Sequence, residues 1–192
     1  MVALRKISPQ PMTVSQFLDW DGGSNRRWEL RDGIPVAMAP STRDHGALQS
    51  ELAFLLTQHL RATSTPCSVI TEPGIVPRVR ASINTRIPDL AVTCSPPRAE
   101  RLVTDPILLI EILSPSNAKD TWDNVWSYAS IPSVREILLI ASTEITAHML
   151  RRLPDGAWPE NPEQITASDA LRLDSIELSF PLRDAYRTTS LV

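Results

Sequence analysis

The chain has 192 residues, enough for one domain of ordinary size and a poor fit for two, so a single domain over 1–192 is expected. With 42% hydrophobic and 21% charged residues, wholesale disorder is excluded. A net charge of −3 excludes a global cationic field, so a nucleic-acid partner has to be met by a local patch.

Two cysteines are too few for a disulfide framework or a structural zinc site. Cys67 and Cys94 therefore read as ordinary small core residues of a reducing compartment. No apolar run is long enough to span a membrane, and the N-terminal stretch lacks the apolar segment of a signal peptide. The expectation is a soluble cytoplasmic protein with no membrane partner. Lys6 and Lys119 are the only lysines, which narrows the choice of a catalytic lysine.

Residues 1–12 read as an unanchored lead-in. Thr13 is a good N-cap with Gln16 three residues on, which predicts a short helix over 14–20. Strand signals at 28–30 and 34–39 flank Arg31-Asp32-Gly33, whose Asp-Gly pair favours a tight hairpin turn. The longest helical pattern covers 43–62, where Leu48, Leu52, Leu55, Leu56 and Leu60 form one apolar stripe. Strands are expected at 69–71, 75–79 and 87–93. The run Ile107-Leu108-Leu109-Ile110-Glu111-Ile112-Leu113 does not alternate, which marks a strand buried on both faces in the middle of a sheet. A second helix over 120–130 is stopped by Ile131-Pro132, and strands at 135–140 and 143–152 follow. After Pro159 the pattern gives a short helix near 168–171 and a last strand near 176–180. Strands mixed with two covering helices define an α/β sandwich around a mixed sheet, with 153–192 as a C-terminal extension packed on the core.

Glu111 stands among otherwise apolar positions of that central strand. A buried carboxylate costs several kcal/mol unless it is paired, protonated or metal-bound; a salt bridge to an arginine is the competing account. Asp89 opens the strand at 87–93, a neighbour of the Glu111 strand. Two carboxylates meeting from adjacent strands repel, and a divalent cation between them converts repulsion into binding. Mg²⁺ suits such a pair because it keeps waters and phosphate oxygens for its remaining positions.

The motifs form an ordered series: Trp-Glu-Leu-Arg-Asp-Gly at 28–33, Met-Ala-Pro-Ser-Thr-Arg-Asp-His at 38–45, Ile-Pro-Asp-Leu-Ala-Val at 87–92, Leu-Ile-Glu-Ile-Leu-Ser-Pro-Ser at 109–116 and Tyr-Ala-Ser-Ile-Pro-Ser-Val-Arg-Glu at 128–136. Over about residues 13–152 this resembles the Uma-two family of restriction-endonuclease domains, within the PD-(D/E)XK nuclease superfamily. The resemblance implies a restriction-endonuclease-like α/β core with a central mixed sheet, preceded by the N-terminal helix and hairpin. It implies a phosphodiesterase site dependent on Mg²⁺, with Mn²⁺ as the alternative, in which Asp89 and Glu111 hold the metal. Glu29 and His45 match positions that border the site, although Glu29 also reads as a hairpin acid paired with Arg26, Arg27 or Arg31. His45 reads equally as a solvated first-turn residue, and His59 and His148 as isolated histidines.

In the superfamily a lysine follows two residues after the second acid; here that position is Leu113. The family carries its lysine in the following helix, and aligning 120–124 with that segment puts Asn124 in the lysine's place. Asn124 can hydrogen-bond a water or a phosphate oxygen but supplies no charge. Lys119 is the nearest lysine, and Asp123 an extra acid for the metal. Arg78 and Arg80 share a face if 75–79 is a strand, and Arg86, Arg98 and Arg101 extend that rim, unless all belong to a mixed surface. Trp122 and Trp126 stand four apart and are expected to pack on the sheet. The implied partner is nucleic acid, DNA first, and cutting both strands of a duplex favours a homodimer. The alternative is a catalytically impaired relative that binds nucleic acid or a protein through the same fold.

Overall fold

The computed structural model describes residues 10–23, 27–114 and 118–192. Helix α1 (Val14–Asp19) opens with a capping box, in which Thr13 and Gln16 satisfy each other's backbone N–H groups. Strands β1 (Trp28–Arg31) and β2 (Ile34–Ala37) close a hairpin through Asp32 and Gly33, with φ of 48° and 79°. Gly33 is required twice over, because a Cβ there would also fall 2.2 Å from Cβ of Pro11. Helix α2 (Arg43–Ala62) begins at Thr42, whose hydroxyl accepts from the His45 N–H.

Then come β3 (Ser68–Thr71), β4 (Leu90–Thr93), β5 (Pro106–Leu113), α3 (Ala118–Ala129), β6 (Glu136–Ala141), β7 (Thr146–Arg151) and β8 (Glu163–Thr166). These strands form one sheet in the order β3-β4-β5-β6-β7-β8. All neighbours are antiparallel except β5 and β6, which are parallel and joined through α3. The expected α/β core with a mixed central sheet is therefore the fold observed.

Each sheet face carries its own core. Leu48, Leu52, Leu56 and Leu60 of α2 pack on Leu90, Leu108, Ile110 and Ile112. The same core takes in Leu171, Leu173 and Phe180 of the two-stranded pair β9 (Ala170–Leu173) and β10 (Leu178–Pro181). On the other face Val125 and Tyr128 of α3 lie with Leu109, Ile137 and Leu139. Strand β5 is thus buried on both sides, as its unbroken apolar run requires.

Several local expectations are corrected. Residues 75–79 are not a strand: Ile75 makes one isolated bridge to Arg86, and Arg80 turns the chain with φ 49° into a short 3-10 turn at Ala81–Ile83. The helix expected near 168–171 is a turn running into β9, closed by Asp169, whose carboxylate accepts from the Thr166 N–H and hydroxyl. The strand expected from 176 starts at Leu178, after a 3-10 turn at Asp174–Ile176. The lead-in is anchored at its end, where the Met12 N–H donates to the Gly33 carbonyl at 2.9 Å; residues 1–9, Lys6 included, lie outside the described residues.

Cys67 and Cys94 are not separate core residues. They form a disulfide, with Cα atoms 3.9 Å apart, and Cys94 is exposed. Their separation of 27 positions hid the pairing, but Ser68 faces Thr93 across β3 and β4, so the next residues outward face each other too. Closing a loop of this length stabilises by about 3 kcal/mol through the unfolded chain. Urea unfolding of the oxidised protein is expected to show a midpoint above that of Cys67→Ser by that free energy divided by m; equal midpoints at equal m would refute the contribution. Among the described residues no helix is long and apolar enough to cross a membrane.

Candidate active site

Alternation along β5 sends Leu108, Ile110 and Ile112 into the α2 core and Glu111 toward α3. There the Tyr128 hydroxyl donates to Glu111 Oε1 at 2.6 Å and the Asn124 amide donates to the same oxygen at 3.4 Å. Both partners are neutral, so the salt bridge considered from sequence is replaced by hydrogen bonds. Burial pushes the Glu111 carboxyl well above the usual glutamate range, and the Asp89 charge pushes it further; the Tyr128 and Asn124 hydrogen bonds pull the other way. Burial, with the Glu111 charge behind it, also raises the Tyr128 phenol well above its ordinary value, so Tyr128 remains a donor.

Asp89 arrives from β4. Leu90 pairs with Ile110, and one step outward the register sets Asp89 against Glu111. The Ile112 N–H donates to Asp89 Oδ2 at 2.7 Å, and His45 Nε2 lies 3.3 Å from Asp89 Oδ1. His45 reaches it from the first turn of α2, and Gln49, one turn later, donates to the Asp89 carbonyl at 3.0 Å. Helix α2 thus covers one face of the sheet and grips the start of β4 with its N-terminal end.

Glu29 is only 2% exposed on β1. Its Oε1 accepts from the Ile87 N–H at 3.0 Å and its Oε2 from Arg31 Nε at 2.9 Å. One carboxylate therefore ties the hairpin to the segment leading into Asp89. Of the arginines weighed from sequence, Arg31 is its partner, and Glu29 also lines the cleft that holds Asp89 and Glu111. Arg27 pairs with Glu72 instead, and Arg26 lies outside the described residues.

Glu29, His45, Asp89, Glu111 and Asn124 line one cleft of about 190 Å³, together with Arg27, Arg31 and Thr121. Lys119 belongs to the first turn of α3 rather than preceding it, and its side chain lies outside the described residues. Asp123 is exposed and does not line the cleft, so it is no third acid there. Helix α3 packs mainly through Val125 and Tyr128; Trp122, 37% exposed, still sets its ring against His148 of β7, whereas Trp126 is 67% exposed and does not join the core. The basic rim dissolves into local pairs: Arg80 with Asp32, Arg98 with Glu100 and Arg101 with Asp19, while Arg86 turns inward to the Leu30 carbonyl. His59 meets the Ile176 carbonyl and His148 the Trp122 ring, as isolated histidines would.

Sequence reasoning missed Tyr128, Gln49 and Arg31 as parts of the cleft wall or its support. Tyr128 had a readable signal, being four residues after Asn124 and so on the same helix face.

Residues 14–183 match the Uma2 family, described as "Putative restriction endonuclease". The chain is 30% identical over 191 residues to "Uncharacterized protein slr1290" of Synechocystis sp., covering 97% of this chain and 98% of that protein. Its fold is similar to that of "a putative nuclease belonging to DUF820" from Anabaena variabilis, with a TM-score of 0.73 and 20% identity, over 92% of this chain and 98% of that one.

Proposed function

Given that this chain belongs to the Uma2 family, we propose that the cleft is a metal-dependent phosphodiesterase site acting on DNA, with Asp89 and Glu111 holding the ion. The observation that supports this is the facing pair itself: two buried carboxylates, one of them hydrogen-bonded only by neutral partners and pushed toward protonation first by its burial and then by the charge of the other. A cation is the missing charge in that arrangement.

The donors fit Mg²⁺, and Mn²⁺ beside it. They are hard carboxylate oxygens, and among the described residues no group of three His, Cys, Asp or Glu forms a cage. Mg²⁺ takes one or two carboxylates and completes its shell with water and phosphate oxygens. When bound, it supplies a more acidic water and offsets charge on the phosphate.

The protein's own residues orient the pair. The Ile112 N–H fixes one oxygen of Asp89 and His45 lies against the other. Tyr128 and Asn124 both take Glu111 Oε1, so Oε2 is the oxygen offered to the cation. Glu29 holds the strand lead and the hairpin in register with the site. His45, Tyr128 and Glu29 act in this reading as positioning residues, and Asn124 adds an uncharged donor.

The test is incubation of supercoiled plasmid and single-stranded oligonucleotides with the full chain in Mg²⁺, Mn²⁺ or EDTA. Nicked or linear plasmid is expected in Mg²⁺ or Mn²⁺ and intact plasmid in EDTA; linear product formed in one encounter would mark a dimer. Folded, metal-bound protein that leaves every substrate intact would overturn the reading. It would favour a nuclease-fold protein that binds nucleic acid without cutting it, the role to which Asn124 points.

A further inference from the structure

The chain continues past residue 183, where its match to the family ends, and these last residues are built against the site end of the molecule. Tyr186 is fully buried, and its hydroxyl donates to the Ala141 and Thr146 carbonyls at 2.8 and 3.1 Å. Ala141 ends β6 and pairs with Leu113, two residues beyond Glu111 on β5. The tail is therefore anchored to the end of the sheet that carries the acid pair. Thr189 then turns it: its hydroxyl donates to the Tyr186 carbonyl at 2.8 Å and accepts from the Leu191 N–H at 3.3 Å, and Leu191 packs on the α2 core.

On its other side the tail meets the first turn of α2. The Ser190 N–H donates to Asp44 Oδ1 at 3.1 Å, the Ser190 hydroxyl donates to Asp44 Oδ2, and the Thr188 hydroxyl donates to the Ala47 carbonyl at 3.5 Å. The Ser190 hydroxyl and N–H hold the Asp44 carboxyl below the usual aspartate range, so it stays an acceptor. Arg43, at 3.4 Å, is its other partner. His45 follows Asp44 directly, with Nε2 at 3.3 Å from Asp89 Oδ1. The leucine stripe of α2 begins one turn later, at Leu48. Apolar packing is non-directional and leaves a helix end free to roll by a fraction of an ångström, whereas hydrogen bonds fix it in direction.

We propose that the tail is a brace for the site: it ties the end of β6 to the first turn of α2, and Asp44 is the positioning residue that sets His45 against Asp89. Its consequence for metal binding and cleavage rests on the nuclease reading; its consequence for His45 does not.

The experiment compares the full chain with Asp44→Ala, Asp44→Asn, Ser190→Ala and Arg43→Ala, well below the Tm of each. The readouts are the imidazole NMR resonances of His45, Mg²⁺ affinity by calorimetry, and kcat and KM on an oligonucleotide. Asp44→Ala is expected to move the His45 resonances, to weaken Mg²⁺ about fivefold and to lower kcat about tenfold with KM unchanged. Asp44→Asn keeps an oxygen for the Ser190 N–H and an amide for its hydroxyl, so it restores most of each value. Arg43→Ala removes only the ion pair and is expected to leave Mg²⁺ affinity and kcat as in wild type. Ser190→Ala, a milder change, decides the matter where Asp44→Ala does not fold. Folded Asp44→Ala or Ser190→Ala with wild-type His45 resonances and Mg²⁺ affinity, whatever the change in Tm, overturns the brace. A wild type that binds no Mg²⁺ overturns the metal-site reading instead, and the His45 resonances then decide the brace by themselves.

Discussion

Asp89→Ala and Glu111→Ala are each expected to lower metal-dependent cleavage by about a thousandfold, the largest activity effect that single changes should produce in this chain. Either change leaves one carboxylate where two faced each other, and one carboxylate holds a divalent ion poorly. Asp89→Asn isolates the charge from the shape, since its side-chain carbonyl can still accept from the Ile112 N–H that now meets Oδ2 at 2.7 Å. It is expected to fall with the alanine variants in cleavage and in Mg²⁺ affinity by calorimetry, while its Tm stays near wild type. Wild-type cleavage rates in both Asp89→Asn and Glu111→Ala would put the chemistry elsewhere on the molecule.

Glu111→Gln is expected to stabilise the metal-free protein at pH 8 by about 2 kcal/mol, or about 6 °C in Tm. Its amide oxygen can keep the hydrogen bonds from Tyr128 and Asn124 that Glu111 accepts, and the uncompensated charge is gone. Burial and the Asp89 charge raise the folded-state value of Glu111 above its unfolded value. The folded chain therefore binds the proton more tightly, and the stability this contributes is full below the ordinary glutamate range. It is lost as pH rises through the folded-state value. In EDTA, wild-type Tm should decline over that interval more than the Tm of Glu111→Gln. Mg²⁺ should restore the wild type by binding the folded state, and should do little for the variant. A Glu111→Gln protein less stable than wild type at pH 8 in EDTA would mean that the charge is compensated.

Much of the fold was legible because it is written in local chemistry. The Thr13–Gln16 capping box, the Asp32-Gly33 turn and the leucine stripe of α2 each depend on residues within a few positions of one another. Illegible parts depended on partners far along the chain. The stretch from Ile75 has strand composition, but its ladder ends at the single Ile75–Arg86 bridge; the Arg78 and Val79 N–H groups go to the Ser130 hydroxyl, and Pro77 and the left-handed Arg80 divert the chain. Trp126 has a core residue's side chain, yet the inward positions of α3 are taken by Val125 and Tyr128. Within the cleft, Glu111 betrayed itself by standing in an apolar run. Asp89 was found as its neighbour's counterpart, whereas Arg31 looked like one hairpin arginine among several. Its partner is Glu29, two residues back on the same strand face, a pairing that the sequence left open among Arg26, Arg27 and Arg31.

Strand β4 is only four residues long, yet it is secured at both ends: the disulfide follows Thr93, and Asp89, gripped by Ile112, His45 and Gln49, precedes Leu90. A sheet strand shifted by one residue presents its opposite face everywhere. Here such a slip would swing Asp89 away from Glu111 while exchanging Leu90 for Ala91 in the core. The covalent bridge forbids that error from one end, and the carboxylate's hydrogen bonds forbid it from the other. The crosslink thus works as a molecular ruler: it sets the distance along the chain at which the acid must fall, and an insertion or deletion between Asp89 and Cys94 would be read out as a misplaced charge.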